Sequence, residues 1–114
     1  MLEHSSKTFA RILGQFILMV IIIFSLGIMA QAAEHVVSEK DKKFSVKKLD
    51  IAVGDSVKIV NDDAVKHNVM NLKLGYNSGL QEPGSSSTLK FDKNGKFLIR
   101  CGIHPKMKMK ITVK

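Results

Sequence analysis

A single cysteine, Cys101, among 114 residues leaves no internal disulfide to brace the chain. It also excludes Cys-rich zinc modules, four-thiolate iron–sulfur clusters and any dinuclear copper centre bridged by two cysteines. No glycine-rich phosphate loop is present, and nothing resembles a dinucleotide fingerprint. Tryptophan is absent, and no motif interleaves aromatic with basic residues as a stacking platform for nucleic acid requires. Acidic residues are scarce, 10 Asp+Glu against 18 Lys+Arg, for a formal net charge of +8. After residue 33 no stretch sustains a helical period over three turns, and no internal repeat occurs. The length allows one domain.

Residues 1–32 read as an export signal. Lys7 and Arg11 form a basic start, Ile12–Ala30 is apolar, and Ala30-Gln31-Ala32 offers small residues for cleavage after Ala32. The competing reading is a retained membrane anchor. Against it, Gly14, Gln15, Ser25 and Gly27 interrupt the stretch, leaving Phe16–Phe24 as the unbroken apolar run. No twin-arginine pair and no cysteine at the cleavage site are present, so the general secretory route and a periplasmic location are expected. The domain is then 33–114, with the membrane involved only if the signal stays uncleaved.

That domain alternates with period two. Val57 and Ile59 share a face with Lys58 outside, and Leu89 and Phe91 flank Lys90. Phe97, Ile99 and Cys101 alternate with Leu98 and Arg100, and Met109, Ile111 and Val113 with Lys108, Lys110 and Thr112. Asp92-Lys93-Asn94-Gly95 reads as a hairpin turn, and Gly75–Ser87 as a connection between strands. Short strands at this spacing predict an antiparallel β-sandwich or barrel. So small a sandwich without disulfides is marginal, and a bound metal is one candidate staple.

Four residues carry the chemistry. Cys101, His104 and Met107 form a Cys-x2-His-x2-Met loop after one strand, and His67 follows the strand Ser56–Asn61 and a polar corner. A lone buried cysteine or a methionine beside an apolar run is ordinary packing. Together, however, they supply a thiolate, two imidazoles and a thioether, the trigonal His2Cys set with a weak axial Met used for one-electron copper chemistry. Met109 shares parity with Ile111 and Val113 and reads as an inward strand residue. It stays open as the alternative axial ligand in a Cys-x2-His-x4-Met arrangement.

With these residues the chain resembles the cupredoxins, the blue copper proteins, and among them the amicyanin and plastocyanin-like members. The likeness runs through Val53-Gly54-Asp55-Ser56-Val57, Asn61, His67-Asn68-Val69 and Cys101–Met107. It implies a Greek-key β-sandwich, one type 1 copper ion held by His67, Cys101, His104 and Met107, and electron shuttling between larger redox proteins without enzymatic turnover. It also implies that Asn68 steadies the ligand loop near the Cys101 sulfur. His67 is expected to be buried. His104 is expected at the surface, ringed by Gly102, Ile103, Pro105 and Met107, with Lys106, Lys108 and Lys110 nearby. A monomer is expected, and the basic charge points to redox partners met through their acidic patches, although those lysines equally suit a solvated strand face.

Other readings use the same residues differently. A copper carrier would hold the ion for delivery, an enzyme would use Cys101 as nucleophile, and a His2Cys zinc site would leave the methionine idle. Cleavage after Ala32 would also leave Ala33-Glu34-His35 at the amino terminus. There an α-amino group, two amides and a third-position imidazole could wrap a second Cu(II) in a square plane. Otherwise His35 simply opens the first strand.

Overall fold

The structure is a computed structural model that describes residues 31–114, so the export signal expected at 1–32 lies outside the described residues apart from its last two positions. Ala32–Lys114 forms one compact unit. Nine strands follow in order: β1 Glu34–Lys40, β2 Lys43–Phe44, β3 Lys48–Ile51, β4 Ser56–Asn61, β5 His67–Asn71, β6 Tyr76–Gln81, β7 Ser86–Lys90, β8 Gly95–Cys101 and β9 Lys108–Val113. They form a four-stranded sheet in the order β2-β1-β4-β7 and a five-stranded sheet in the order β3-β9-β8-β5-β6. Pairing is antiparallel except between β1 and β4 and between β3 and β9, which run parallel. Among the described residues no helix is long and apolar enough to cross a membrane.

Parity determines the core, as the sequence pattern demands of strands half covered by a facing sheet. Val37, Val57 and Ile59 point inward from one sheet, and Phe97, Ile99, Cys101, Met109, Ile111 and Val113 from the other. Phe91 lies between them, edge-to-face against Phe97 with ring centroids 5.2 Å apart. Burying these side chains supplies most of the driving force in a domain with no covalent cross-link.

Two sequence expectations are corrected. Asp92–Gly95 is not a hairpin turn, because β7 pairs with β4 and β8 pairs with β5 and β9. The segment instead carries the chain from one sheet to the other. Phe91 anchors that crossing by burying its ring while its backbone bonds Asp55 O and Gly54 N. Gly75–Ser87, expected as a plain connection, contains the edge strand β6. Between Tyr76 and the exposed Leu80 it holds only polar residues and glycine, and Gly79 takes φ 71°, so neither apolar alternation nor strand propensity marks it.

The connections sort to two ends of the sandwich. At one end β1 and β4 begin, and Asp55 accepts from the backbone of Ala33 at 2.9 Å and Ala52 at 3.0 Å. It also bonds His35 Nε2 at 2.9 Å. His35 bonding, followed by these backbone N–H groups, holds the Asp55 carboxyl down to about 2. Ala33 O accepts from Ser56, and Glu34 and His35 stand in register with Ser56 and Val57. His35 is therefore the second residue of the first strand, after Glu34, and the square-planar wrap would have to peel β1 from β4. The other end gathers the 62–66 corner, the β1–β2 turn and the loop between β8 and β9.

Candidate metal centre

His67 is aimed by a buried asparagine. At the end of β4 the ladder stops, and Asn61, fully buried, replaces it. Its Oδ1 accepts from Asp63 N at 2.9 Å, while its Nδ2 donates to Val65 O at 2.9 Å and Gln81 O at 3.0 Å. The corner so folded turns Asp63 inward. Asp63 Oδ2 accepts from Lys42 N and bonds His67 Nε2, each at 2.9 Å. The Lys42 N–H first, and His67 second, lower the Asp63 carboxyl to about 2. With its Nε2 hydrogen on a carboxylate, His67 presents the lone pair of Nδ1 to the interior.

Cys101 is the last residue of β8 and fully buried. Its Sγ accepts from Asn68 N at 3.3 Å. The expectation that Asn68 steadies this region is refined: its backbone N–H meets the sulfur, while its side chain braces the strand. Asn68 Nδ2 donates to Asn77 Oδ1 and Gly79 O at 2.8 Å each. The ladder between β5 and β6 slips there, and Ser78 Oγ takes the N–H of Val69 at 2.9 Å.

After Cys101 the chain turns back on itself. Met107 N donates to His104 O at 2.9 Å, and Cys101 N donates to Met107 O at 3.2 Å. The loop is closed by its own backbone, so His104 folds over the sulfur. His104 Nδ1 lies 3.6 Å from Cys101 Sγ and 3.1 Å from His67 Nδ1, and His67 Nδ1 lies 3.9 Å from Cys101 Sγ.

These three distances test whether a metal fits. A point equidistant from the three donors lies about 2.1 Å from each, given separations of 3.1, 3.6 and 3.9 Å. Metal bonds to imidazole nitrogen and thiolate sulfur are about 2.0–2.3 Å, as zinc sites show. The donor triangle is therefore the size of a trigonal metal site. His67, Cys101 and His104 form a group of potential metal ligands among the described residues. One thiolate with two imidazoles and a thioether nearby suits copper better than zinc.

His104 is the least buried of the three. Desolvation, then the His67 ring and Lys42, lower its pKa below the ordinary imidazole value. Met107 is 2 % exposed, so it does not belong to the outer ring expected around His104. The Cys101–Met107 backbone bond returns it to the side of the ligand cysteine instead. Met109 is equally buried, but it lies within β9 opposite Ile99, as its parity requires.

Two participants were not found in the sequence. Asp63 was seen only as part of a polar corner, although an acid four residues before a ligand histidine was the available signal. Glu39 was not singled out. It is fully buried, and neither carboxylate oxygen has a hydrogen-bond partner. Burial, then the Asp63 carboxylate, push its pKa up to about 7.

A two-sheet sandwich carrying a His2Cys donor triangle at one end defines the blue copper class of fold. The Cupredoxin-like domain family matches residues 15–113, and the chain belongs to that family. Among solved structures it is similar to a reduced amicyanin variant, with 28% identity and a TM-score of 0.68 over 77% of this chain and 88% of that one. It is also similar to a purple cupredoxin from Nitrosopumilus maritimus, with 23% identity and a TM-score of 0.64 over 70% of this chain and 99% of that one. A Cu-containing nitrite reductase from Thermus scotoductus matches at 24% identity and a TM-score of 0.66, over 75% of this chain and 23% of that one. No curated protein matches the sequence.

Proposed function

We propose that this protein is an exported type 1 copper protein that carries single electrons between redox partner proteins, with His67, Cys101, His104 and Met107 as ligands. The observation that carries the reading is the donor triangle, sized for a metal and held by hydrogen bonds independent of one. When bound, copper supplies a one-electron couple between Cu(I) and Cu(II). The chain does the rest. The Cys101 thiolate and Met107 thioether favour Cu(I), while the two imidazoles suit both oxidation states. Asp63 fixes the tautomer of His67, and the Asn68 N–H draws charge from the thiolate. A closed loop and a buried asparagine corner keep the donors from moving between states. His104, the donor residue that reaches the surface, is the route for the electron.

A nucleophilic role for Cys101 is disfavoured by its complete burial, which leaves no room for a substrate at the sulfur. Export with removal of 1–32 is supported by the position of β1, whose first residue, Glu34, follows the expected cleavage point. The visible spectrum of copper-loaded protein tests the reading. An intense thiolate-to-copper band that bleaches reversibly on one-electron reduction is expected, and Cys101→Ser should remove it while circular dichroism stays unchanged. A colourless, redox-silent copper complex would leave only a carrier role.

A further inference from the structure

At the end of the sandwich opposite the metal centre, Asp55 carries more charge than its partners answer. It is 6 % exposed, and its backbone is fixed on both sides. Asp55 N donates to Ala52 O at 3.0 Å, and Asp55 O accepts from Phe91 N at 2.9 Å. Oδ2 takes Ala52 N and His35 Nε2, whereas Oδ1 has one partner among the described residues, Ala33 N at 2.9 Å. Both amides are dipoles and not charges. Around this carboxylate the charged residues are Glu34 on β1, Asp50 on β3, Lys90 and Asp92 on either side of Phe91, and Lys114 after β9. Lys90 pairs with Asp92 at 3.7 Å, and among the described residues His35 is the one side chain at ion-pair distance from Asp55. Ala33 itself is pinned twice, because its O also accepts from Ser56 N at 3.0 Å. Gln31 and Ala32 before it are exposed and belong to no strand. The bond between Ala32 and Ala33 thus joins a residue outside the sandwich to one already held on it.

We infer that Asp55 is the receptor for a processed amino terminus: removal of 1–32 leaves an α-ammonium on Ala33 that pairs with Asp55 Oδ1 and fastens β1 to β4. The inference rests on the export reading above and adds what cleavage does to the fold. Hydrolysis of the Ala32–Ala33 bond by an export peptidase adds one water, leaving a carboxylate on Ala32 and an amine on Ala33. That amine holds a proton at neutral pH, since α-amino groups titrate at about 7.7–8.0. The nitrogen need not move, because it already lies 2.9 Å from Oδ1. A full charge replaces a dipole beside a nearly buried carboxylate, which makes the hydrogen bond charge-assisted at both ends. An exposed lysine pair gives up side-chain freedom to form. Here the cation sits on the backbone and the carboxylate is already held by Ala52 and His35, so little freedom is lost. Asp55, with its carboxyl held down to about 2, stays ionised wherever the amine is charged. Before cleavage the same nitrogen is an amide, and β1 is held more weakly.

The test starts from the full chain exported by a bacterial host and loaded with copper. Mass spectrometry reads its first residue, which should be Ala33. The pH dependence of α-amine acylation reads the pKa of that amine. It should lie at about 9 or above, at least a tenfold firmer hold on the proton than an ordinary α-amine has. Asp55→Asn should return it to the ordinary range. A second protein, beginning at Gln31, keeps Ala33 N as an amide and moves the charge two residues away. Its unfolding equilibrium constant at pH 7 should be about tenfold larger than that of the mature protein, the same interaction read through stability. Because the folded amine has the raised value, this advantage is full below about pH 7.7 and is lost as pH rises through that value. The two proteins should agree by about pH 11. The wild-type titration and the comparison of the two starts decide the matter even if Asp55→Asn does not fold. An ordinary amine pKa, equal stability of the two proteins at pH 7, or a raised pKa that survives Asp55→Asn would each overturn the receptor. A mature terminus elsewhere than Ala33 would overturn the cleavage point on which the inference rests, a failure of the export reading that the defined starts do not share.

Discussion

Asn68 donates its N–H to the Cys101 sulfur at 3.3 Å across the end of the five-stranded sheet, and its carbonyl accepts from the next residue, Gly102 N, at 3.3 Å. The residue that supports the thiolate is thus clamped to the first residue of the ligand loop. The clamp leaves no space for a side chain at position 102. A Cβ on Gly102 would stand 2.5 Å from Asn68 Oδ1 and 2.7 Å from Met70 Sδ.

Gly102→Ala should therefore destabilise the protein by about 1–3 kcal/mol, the cost of overpacking. Met70 can swing away, but Asn68 is held by Asn77 and Gly79 and cannot follow. The thiolate band of the copper form should shift as the Asn68 N–H leaves the sulfur. Thermal unfolding and the visible spectrum measure the two effects. An alanine variant unchanged in both would show that the clamp is loose.

Asp63→Asn keeps the shape of the corner and removes the charge that orients His67. Copper affinity in competition with a chelator should drop by about 10–100-fold, as it does when partners of ligand histidines are replaced. The thiolate band should survive, because Cys101 is untouched. Unaltered affinity would mean that the Asn61 corner alone aims the imidazole.

Met107→Gln should retain copper and lower the reduction potential, since an oxygen donor favours Cu(II) over Cu(I) more than a thioether does. Met109→Leu should leave the potential nearly constant and cost less than about 1.5 kcal/mol, the usual limit for a volume-conserving core exchange. Potentiometry on both variants decides between the two methionines. The reverse outcome would make Met109 the axial ligand.

Glu39→Gln tests the unpartnered carboxyl in the core. Its pKa is about 7 in the folded chain against 4.5 for an ordinary glutamate, so between these values the folded state holds more protons than the unfolded state. Stability from this group is full below about pH 4.5 and is lost as pH rises toward 7. Glutamine does not titrate. The stability of the variant relative to wild type should rise through that window and level off above it, as denaturant melts at pH 4.5, 6 and 8 would measure. A constant difference would mean that Glu39 ionises normally.

How much of this was legible in the sequence follows from how local each feature is. Cys101, His104 and Met107 share one loop, so their spacing alone carries the donor chemistry, and His67 joins them through its place after β4. Parity exposed the inward faces of β4, β8 and β9 because each is half buried. Asn94-Gly95 misled, since the same turn residues serve a hairpin or a passage between sheets, and only strand pairing separates the two. Asp63 was hidden because one of its partners, Lys42, lies 21 residues earlier on a turn where Asp41 and Lys42 both adopt positive φ, 52° and 56°. Glu39 was hidden because an acid in an alternating strand is expected to face water.

One oxygen joins the β1–β2 turn to the metal centre. Asp63 Oδ2 accepts from Lys42 N, on that turn, and bonds Nε2 of His67. Thermodynamic reciprocity applies across such a link: whatever a change of oxidation state would do to the turn through His67, a displacement of the turn would do to the redox couple in equal measure. Turn and couple are thus tied through one carboxylate, with no change of fold required.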